Sequence, residues 1–197
     1  ETDYIIVSQF CFDYMLNHHW QHFFDLLIGM TEKELKARYK HTVFGFLWVI
    51  INPLLQMIVI GFVFTFFIKE PIKNYYFYLF IRLLIWNFFT LSLQKVTPSI
   101  VNERSLVKKA KFPHSVIPLS IILSNLVHFI LSLGLLIIPV WLAGIPFMSR
   151  LPAFLLGVLL LLIFTSGFGL LTSALDVPFR DMNFFVQALL IIWFYAT

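Results

Sequence analysis

Two histidines four residues apart, His18 and His22, form the first pair in this chain whose spacing could do chemistry. On a helix that spacing puts both imidazoles on one face, where a metal ion could sit. With His19 alongside and no acid or cysteine to complete the set, the same residues read as the wet face of an interfacial helix. His128 lies in the middle of an apolar run, where an ionisable group raises proton transfer. Its neighbours Ser120, Ser124 and Ser132 extend it into a polar stripe at four-residue spacing, and Thr165, Gly169 and Ser173 form a matching stripe of small residues. Helix packing around a neutral, hydrogen-bonded imidazole is the reading these stripes favour. Arg82 sits about five residues inside another apolar run. A guanidinium at the bilayer centre costs roughly 2.5–3.5 kcal/mol on insertion scales. Snorkelling to the surface avoids most of that cost, and the alternative is contact with a substrate phosphate.

Enzymatic chemistry is poorly provided for. No glycine is followed by lysine, so the phosphate loop Gly-x-x-x-x-Gly-Lys is absent, and Gly167-Phe168-Gly169 lies inside an apolar helix instead of after a strand. No nucleophile and base, and no pair of carboxylates, stand at a catalytic spacing. No catalytic, metal or cofactor residue is therefore assigned to this chain.

These side chains must be held by elements suited to lipid. Of the 197 residues, 60% are hydrophobic and 12% charged, with a mean hydropathy of +0.89; soluble domains average roughly 45–50% and about 25%. The apolar residues come in blocks of the length a bilayer requires. The net charge of +4 belongs to basic residues flanking those blocks, which points to anionic lipid headgroups and away from nucleic acid. Cys11 is the only cysteine, so no internal disulfide forms and the redox compartment is not readable. Polar residues precede the first apolar helix, and no cleavable leader is expected.

The fold class that follows is all-α: a polytopic helical membrane protein with an amphipathic interfacial helix and five predicted spans. From Phe12 to Met30, the residues Leu16, Trp20, Phe23 and Leu27 recur at helical spacing opposite Asn17, Gln21 and Asp25. Thr31 with Glu34 matches a capping box and predicts a second, short helix, supported by the i, i+4 pairs Glu32 with Lys36 and Glu34 with Arg38. Residues 1–42 thus form a cytoplasmic N-terminal segment and 43–197 a transmembrane domain. Its spans are predicted at about 43–68, with Pro53 as a kink point, 77–93, 115–142, 153–175 and 183–197. Thr97 with Pro98 predicts a capped helix in the polar stretch 94–114, carrying Ile100, Val101, Arg104 and Leu106 toward Lys108.

Lysine and arginine mark the cytoplasmic side. Lys33, Lys36, Arg38, Lys40, Lys95, Arg104, Lys108, Lys109, Lys111 and Arg180 fall on one side and Lys69, Lys73 and Arg150 on the other, which puts the N-terminus in the cytoplasm.

Three segments carry a resemblance to a known family. Arg38-Tyr39-Lys40-His41-Thr42-Val43-Phe44-Gly45-Phe46-Leu47-Trp48 with Asn52-Pro53-Leu54 resembles the start of polysaccharide-export ABC permeases, the exporters of O-antigen and teichoic acid. Ser105-Leu106-Val107-Lys108-Lys109, Phe112-Pro113 and Pro118-Leu119 are similar to their cytoplasmic loop, and Asp176-Val177-Pro178-Phe179-Arg180-Asp181 to the turn before their fifth span. The segments lie in family order. Arg82 stands where related sequences carry glycine, so no role is transferred to it.

The resemblance implies six spans, of which the sixth is absent from this stretch, a homodimer, and two copies of a cytoplasmic ABC ATPase that bind the ATP and Mg. It implies coupling to that ATPase through Glu34, Arg38, Tyr39, Pro98, Arg104, Lys108, Lys109, Lys111, Phe112, Pro113, Arg180 and Asp181. It places the first and fifth spans along a pore, making Phe44, Trp48, Phe62, Phe66, Trp193 and Tyr195 its candidate lining, because aromatic faces stack on sugar C–H surfaces while permitting sliding. The implied function is export of lipid-linked polysaccharide through the cytoplasmic (inner) membrane, O-antigen or teichoic-acid precursor. A membrane-embedded transferase using His128 or Asp176 as base is the alternative class. A secondary transporter is disfavoured by the absence of an evident internal repeat and by the few membrane carboxylates.

Overall fold

The computed structural model describes residues 23–38, 47–67, 75–109, 113–142 and 151–196. All regular structure among them is helical. Residues 23–38 form α1, followed by α2 (Trp48–Phe67), α3 (Tyr75–Val96), α4 (Ser99–Asn102), α5 (Arg104–Lys109), α6 (Val116–Leu142), α7 (Leu151–Asp176) and α8 (Met182–Ala196). Among these residues, Tyr78–Val96, Val116–Gly134 and Leu151–Asp176 are long and apolar enough to cross a membrane. Helix α2 has 20 residues and no charge, which at 1.5 Å per residue also matches about 30 Å of hydrocarbon. Helix α8, of 15 residues, is apolar and shorter. The chain is a multi-pass helical membrane protein.

Helix α3 is central and touches α2, α4, α6, α7 and α8. Its sequence supplies two faces. Phe80, Leu84 and Phe88 recur one turn apart, with Val96 two turns further on the same face, and they pack on Ile121, Ile122 and Phe129 of α6, with the Phe88 and Phe129 rings 5.4 Å apart. Phe89 and Leu93 point to Val186 and Leu190 of α8. Opposite this core, Leu155, Leu156, Leu159, Leu160 and Ile163 of α7 are exposed, as a lipid-facing surface requires.

The two small-residue stripes behave as the spacing predicts. Ser120, Ser124, His128 and Ser132 of α6 are buried, as are Thr165 and Ser173 of α7. Their hydroxyls largely return to their own helix: Ser120 donates to Ile117 O, Ser132 to His128 O and Thr165 to Leu161 O. That arrangement lets helices approach closely, and among the buried hydroxyls of the α6 stripe only Ser124 Oγ finds no partner among the described residues. At Gly169 the approach is tightest, for an added Cβ would lie 3.0 Å from Val96 Cγ1 and 3.4 Å from Ile122 Cδ1. Gly169→Val should therefore destabilise the bundle by about 1–3 kcal/mol through overpacking. A lowered thermal midpoint of the purified protein in detergent checks this.

Several boundaries differ from the sequence reading. Helix α1 runs through Thr31, whose Oγ1 donates to Leu27 O at 2.6 Å, so no second helix is capped there. Leu27 is buried and Asp25 exposed, and the amphipathic face continues across the supposed break. The Glu32 and Lys36 pair forms, but Arg38 turns to Asn125 instead of closing a pair with Glu34. Helix α3 extends to Val96 and includes Gln94 and Lys95, because Leu93 and Val96 are buried while those two polar side chains point outward. The boundary at 42–43, and residues 12–22 of the interfacial helix with His18, His19 and His22, lie outside the described residues.

Candidate functional site

One end of the bundle gathers polar side chains. Helix α3 finishes there at Val96, α6 begins at Val116, α7 ends at Asp176, and α4 touches both α6 and α7. Lys33 Nζ of α1 pairs with Glu103 Oε1 at 3.1 Å on the partly exposed rim. Deeper in, Arg38 Nη2 donates to Asn125 Oδ1, and Asn125 Nδ2 donates to Ser92 Oγ at 3.2 Å. Burial pushes the Arg38 guanidinium down from its ordinary pKa, while Glu34 opposes that shift by favouring the charged form. Between α1 and the α3–α4 junction lies a cleft of about 380 Å³ whose walls include Glu34, Lys95, Pro98 and Asn102.

The loop between α3 and α6 is built differently from the single capped helix the sequence suggests. Thr97 Oγ1 donates back to Leu93 O at 2.8 Å and lies 3.2 Å from Thr172 Oγ1 of α7. Pro98 occupies the N-cap position of α4 and supplies no side-chain cap. A second helix, α5, starts after Glu103, so the segment is two short helices with a corner between them. The hydroxyl is drawn away because it is fully buried against α7, where only the Leu93 carbonyl and Thr172 can satisfy it.

The α7–α8 turn belongs to the same end. Asp176 is 3% exposed with its Oδ1 unpartnered, and its carboxylate faces the backbone N–H of Asn183 in the first turn of α8. An anion there complements the positive end of the helix dipole. Arg180 and Asp181 are exposed beyond it.

A second cleft, of about 360 Å³, opens between α2, α3 and α8. Trp86, Phe194 and Tyr195 supply aromatic surface there, and Gln56, Asn87 and Thr90 supply polar groups. Asn87 Nδ2 donates to Gln56 Oε1 at 2.9 Å, while Thr90 Oγ1 is buried without a protein partner. Amides and aromatic rings around one cleft can hydrogen-bond sugar hydroxyls and stack on sugar C–H faces.

Residues 25–197 match the model of the family described as ABC-2 type transporter. The chain belongs to that family. Relatives of this ABC-2 transporter chain include an "O-antigen export system permease protein RfbA" of Myxococcus xanthus, 37% identical over 180 residues that cover 87% of this chain and 66% of the relative. Two proteins of the same name from Klebsiella pneumoniae are 36% and 34% identical over 175 residues, covering 88% of this chain and 68% of each. The chain spans about two thirds of the length of these curated relatives.

Within the ABC-2 fold the coupling candidates divide clearly. Glu34 and Pro98 line the first cleft, Arg38 enters the Asn125 contact, and Arg104, Pro113, Arg180 and Asp181 are exposed. Lys108 and Lys109 end α5; Tyr39, Lys111 and Phe112 lie outside the described residues. Of the pore candidates, Tyr195 is 82% exposed and lines the second cleft. Trp48 and Phe62 are exposed on α2 at 45% and 65%. Trp193 instead packs edge-on against Phe89 and Phe164. Phe44 and the Phe66 side chain lie outside what is described. Arg82 is exposed near the start of α3. Sequence reasoning missed Gln56, Asn87 and Asn125, although an amide inside an apolar helix is itself a signal.

Proposed function

We propose that this chain is the membrane permease of an ATP-driven exporter that carries lipid-linked polysaccharide of the O-antigen type across the cytoplasmic (inner) membrane. The observation that carries this reading is kinship, over 87–88% of the chain, with proteins named as O-antigen export permeases. The geometry supports it at both ends of the work. One end of the bundle offers short helices and exposed charge for a cytoplasmic ABC ATPase, which would hold the ATP and Mg. The cleft of α2, α3 and α8 offers the amide and aromatic surface that a sliding glycan needs. A hydrated polysaccharide is wider than the interior of one such bundle, so two permease copies would enclose the path, with two ATPase subunits beneath.

Purification of the full-length permease from its native membrane tests this. An ATPase should accompany it at equal stoichiometry, whereas turnover of sugar nucleotides by the isolated permease would favour a transferase. Orientation is checked separately. Cysteines replacing Arg180 or Asp181 should react with impermeant maleimide only from the cytoplasmic side, which would place α1, α4 and α5 there too; labelling only from outside would invert the topology.

A further inference from the structure

Asn125 lies 3% exposed and Ser92 is fully buried, yet the amide is used at both ends. It accepts from Arg38 of α1 and donates to Ser92 of α3. One short side chain on α6 therefore ties the interfacial helix to two spans. A buried amide or guanidinium stripped of partners is costly, so the tie holds unless a replacement partner is at hand. For Arg38 a replacement exists. Glu34 stands one turn back on α1, and its charge already acts on Arg38. Turning from Asn125 to Glu34 would free α1 without leaving a buried cation unpaired. Among the described residues, the other side-chain tie from α1 to this end of the bundle, Lys33 with Glu103, lies on the solvated rim, where such pairs are weak. The 380 Å³ cleft beside it leaves α1 room to move.

Resting on the exporter reading, we propose that Asn125 is a positioning residue of the transport cycle. It is the latch through which displacement of α1 reaches α3 and α6, closed with Arg38 on Asn125 and open with Arg38 on Glu34. Such a two-position contact is the kind of bistable element that carries motion between distant sites.

The test uses the full-length permease assembled with its ATPase, measuring ATP hydrolysis and glycan export in the same vesicles. Asn125→Asp holds Arg38 by charge, and Asn125→Leu removes the latch. In both, hydrolysis should stay within about twofold while export falls about tenfold, so ATP consumed per exported chain rises about tenfold, the loss of one 1.4 kcal/mol step in coupling. Ser92→Ala, a milder change that keeps the fold, should raise that ratio several-fold. Glu34→Gln combined with Asn125→Asp should export no less than Asn125→Asp alone, since both act on one switch. A ratio within twofold of wild type in Asn125→Asp and Ser92→Ala would overturn the proposal. So would export losses that only track lost assembly in every variant. Absence of any ATPase from the wild-type preparation would instead overturn the exporter reading, and the latch with it.

Discussion

Replacing Lys108, Lys109 and Lys111 together with glutamate is expected to cut export tenfold or more and to weaken assembly with the ATPase. The change reverses six units of charge at the end of α5 and just beyond it, in the segment joining α3 to α6. An interface that pairs basic residues with acids on a partner loses attraction and gains repulsion when the sign is inverted, and close charge pairs at interfaces have coupling energies of about 1.5–7 kcal/mol. The fold itself should tolerate the change, because the corner between α4 and α5 is set by backbone bonds such as Val107 N–H to Glu103 O at 3.1 Å. Co-purification of the ATPase and export in cells measure the two effects. Wild-type values for both would remove this loop from the mechanism.

The second large effect concerns the path. Trp48, Phe62 and Tyr195 are exposed on α2 and α8, where lipid or a second copy can meet them. If they line the space between two permeases, replacing all three with alanine removes the surfaces on which sugars stack, each worth about 0.5–1.5 kcal/mol on the scale of aromatic pairs. Export should fall tenfold or more with assembly intact. Cysteines at matching positions of α2 or α8 in two protomers should cross-link. Cross-links confined to α6 or α7, with export unaffected by the alanines, would put the path elsewhere. Trp193 should behave otherwise: its ring packs edge-on against the stacked Phe89 and Phe164, so Trp193→Ala should lower stability first.

How much of this was legible in the sequence depends on the range of the interaction. The α6 stripe from Ser120 to Ser132 was readable because helical spacing alone puts those residues on one face. The apolar blocks likewise located α3, α6 and α7 within a few residues. Thr31 misled because a Thr-x-x-Glu pattern fits both a helix start and a helix interior; what decided it was the continuing amphipathic face around Leu27, a property of the whole of α1. Thr97 misled for a different reason. Its hydroxyl is satisfied by Leu93 and by Thr172, 75 residues away, and no local pattern reports such a partner. Asn125 was missed on the same ground, since its partners Arg38 and Ser92 stand 87 and 33 residues distant. The Gln56 and Asn87 pair was open to notice as two amides in apolar helices, but their meeting depends on how α2 packs against α3.

The central claim is that this permease moves a finished, lipid-linked glycan and does not make it. Depleting the full-length protein in its own cells and measuring glycan on both sides of the cytoplasmic membrane separates those roles. Export predicts that surface polysaccharide disappears while lipid-linked polymer of full length accumulates on the cytoplasmic face, and that ATPase-dead partner subunits give the same accumulation. Surface polysaccharide at normal levels, or loss of polymer from both faces, would contradict it.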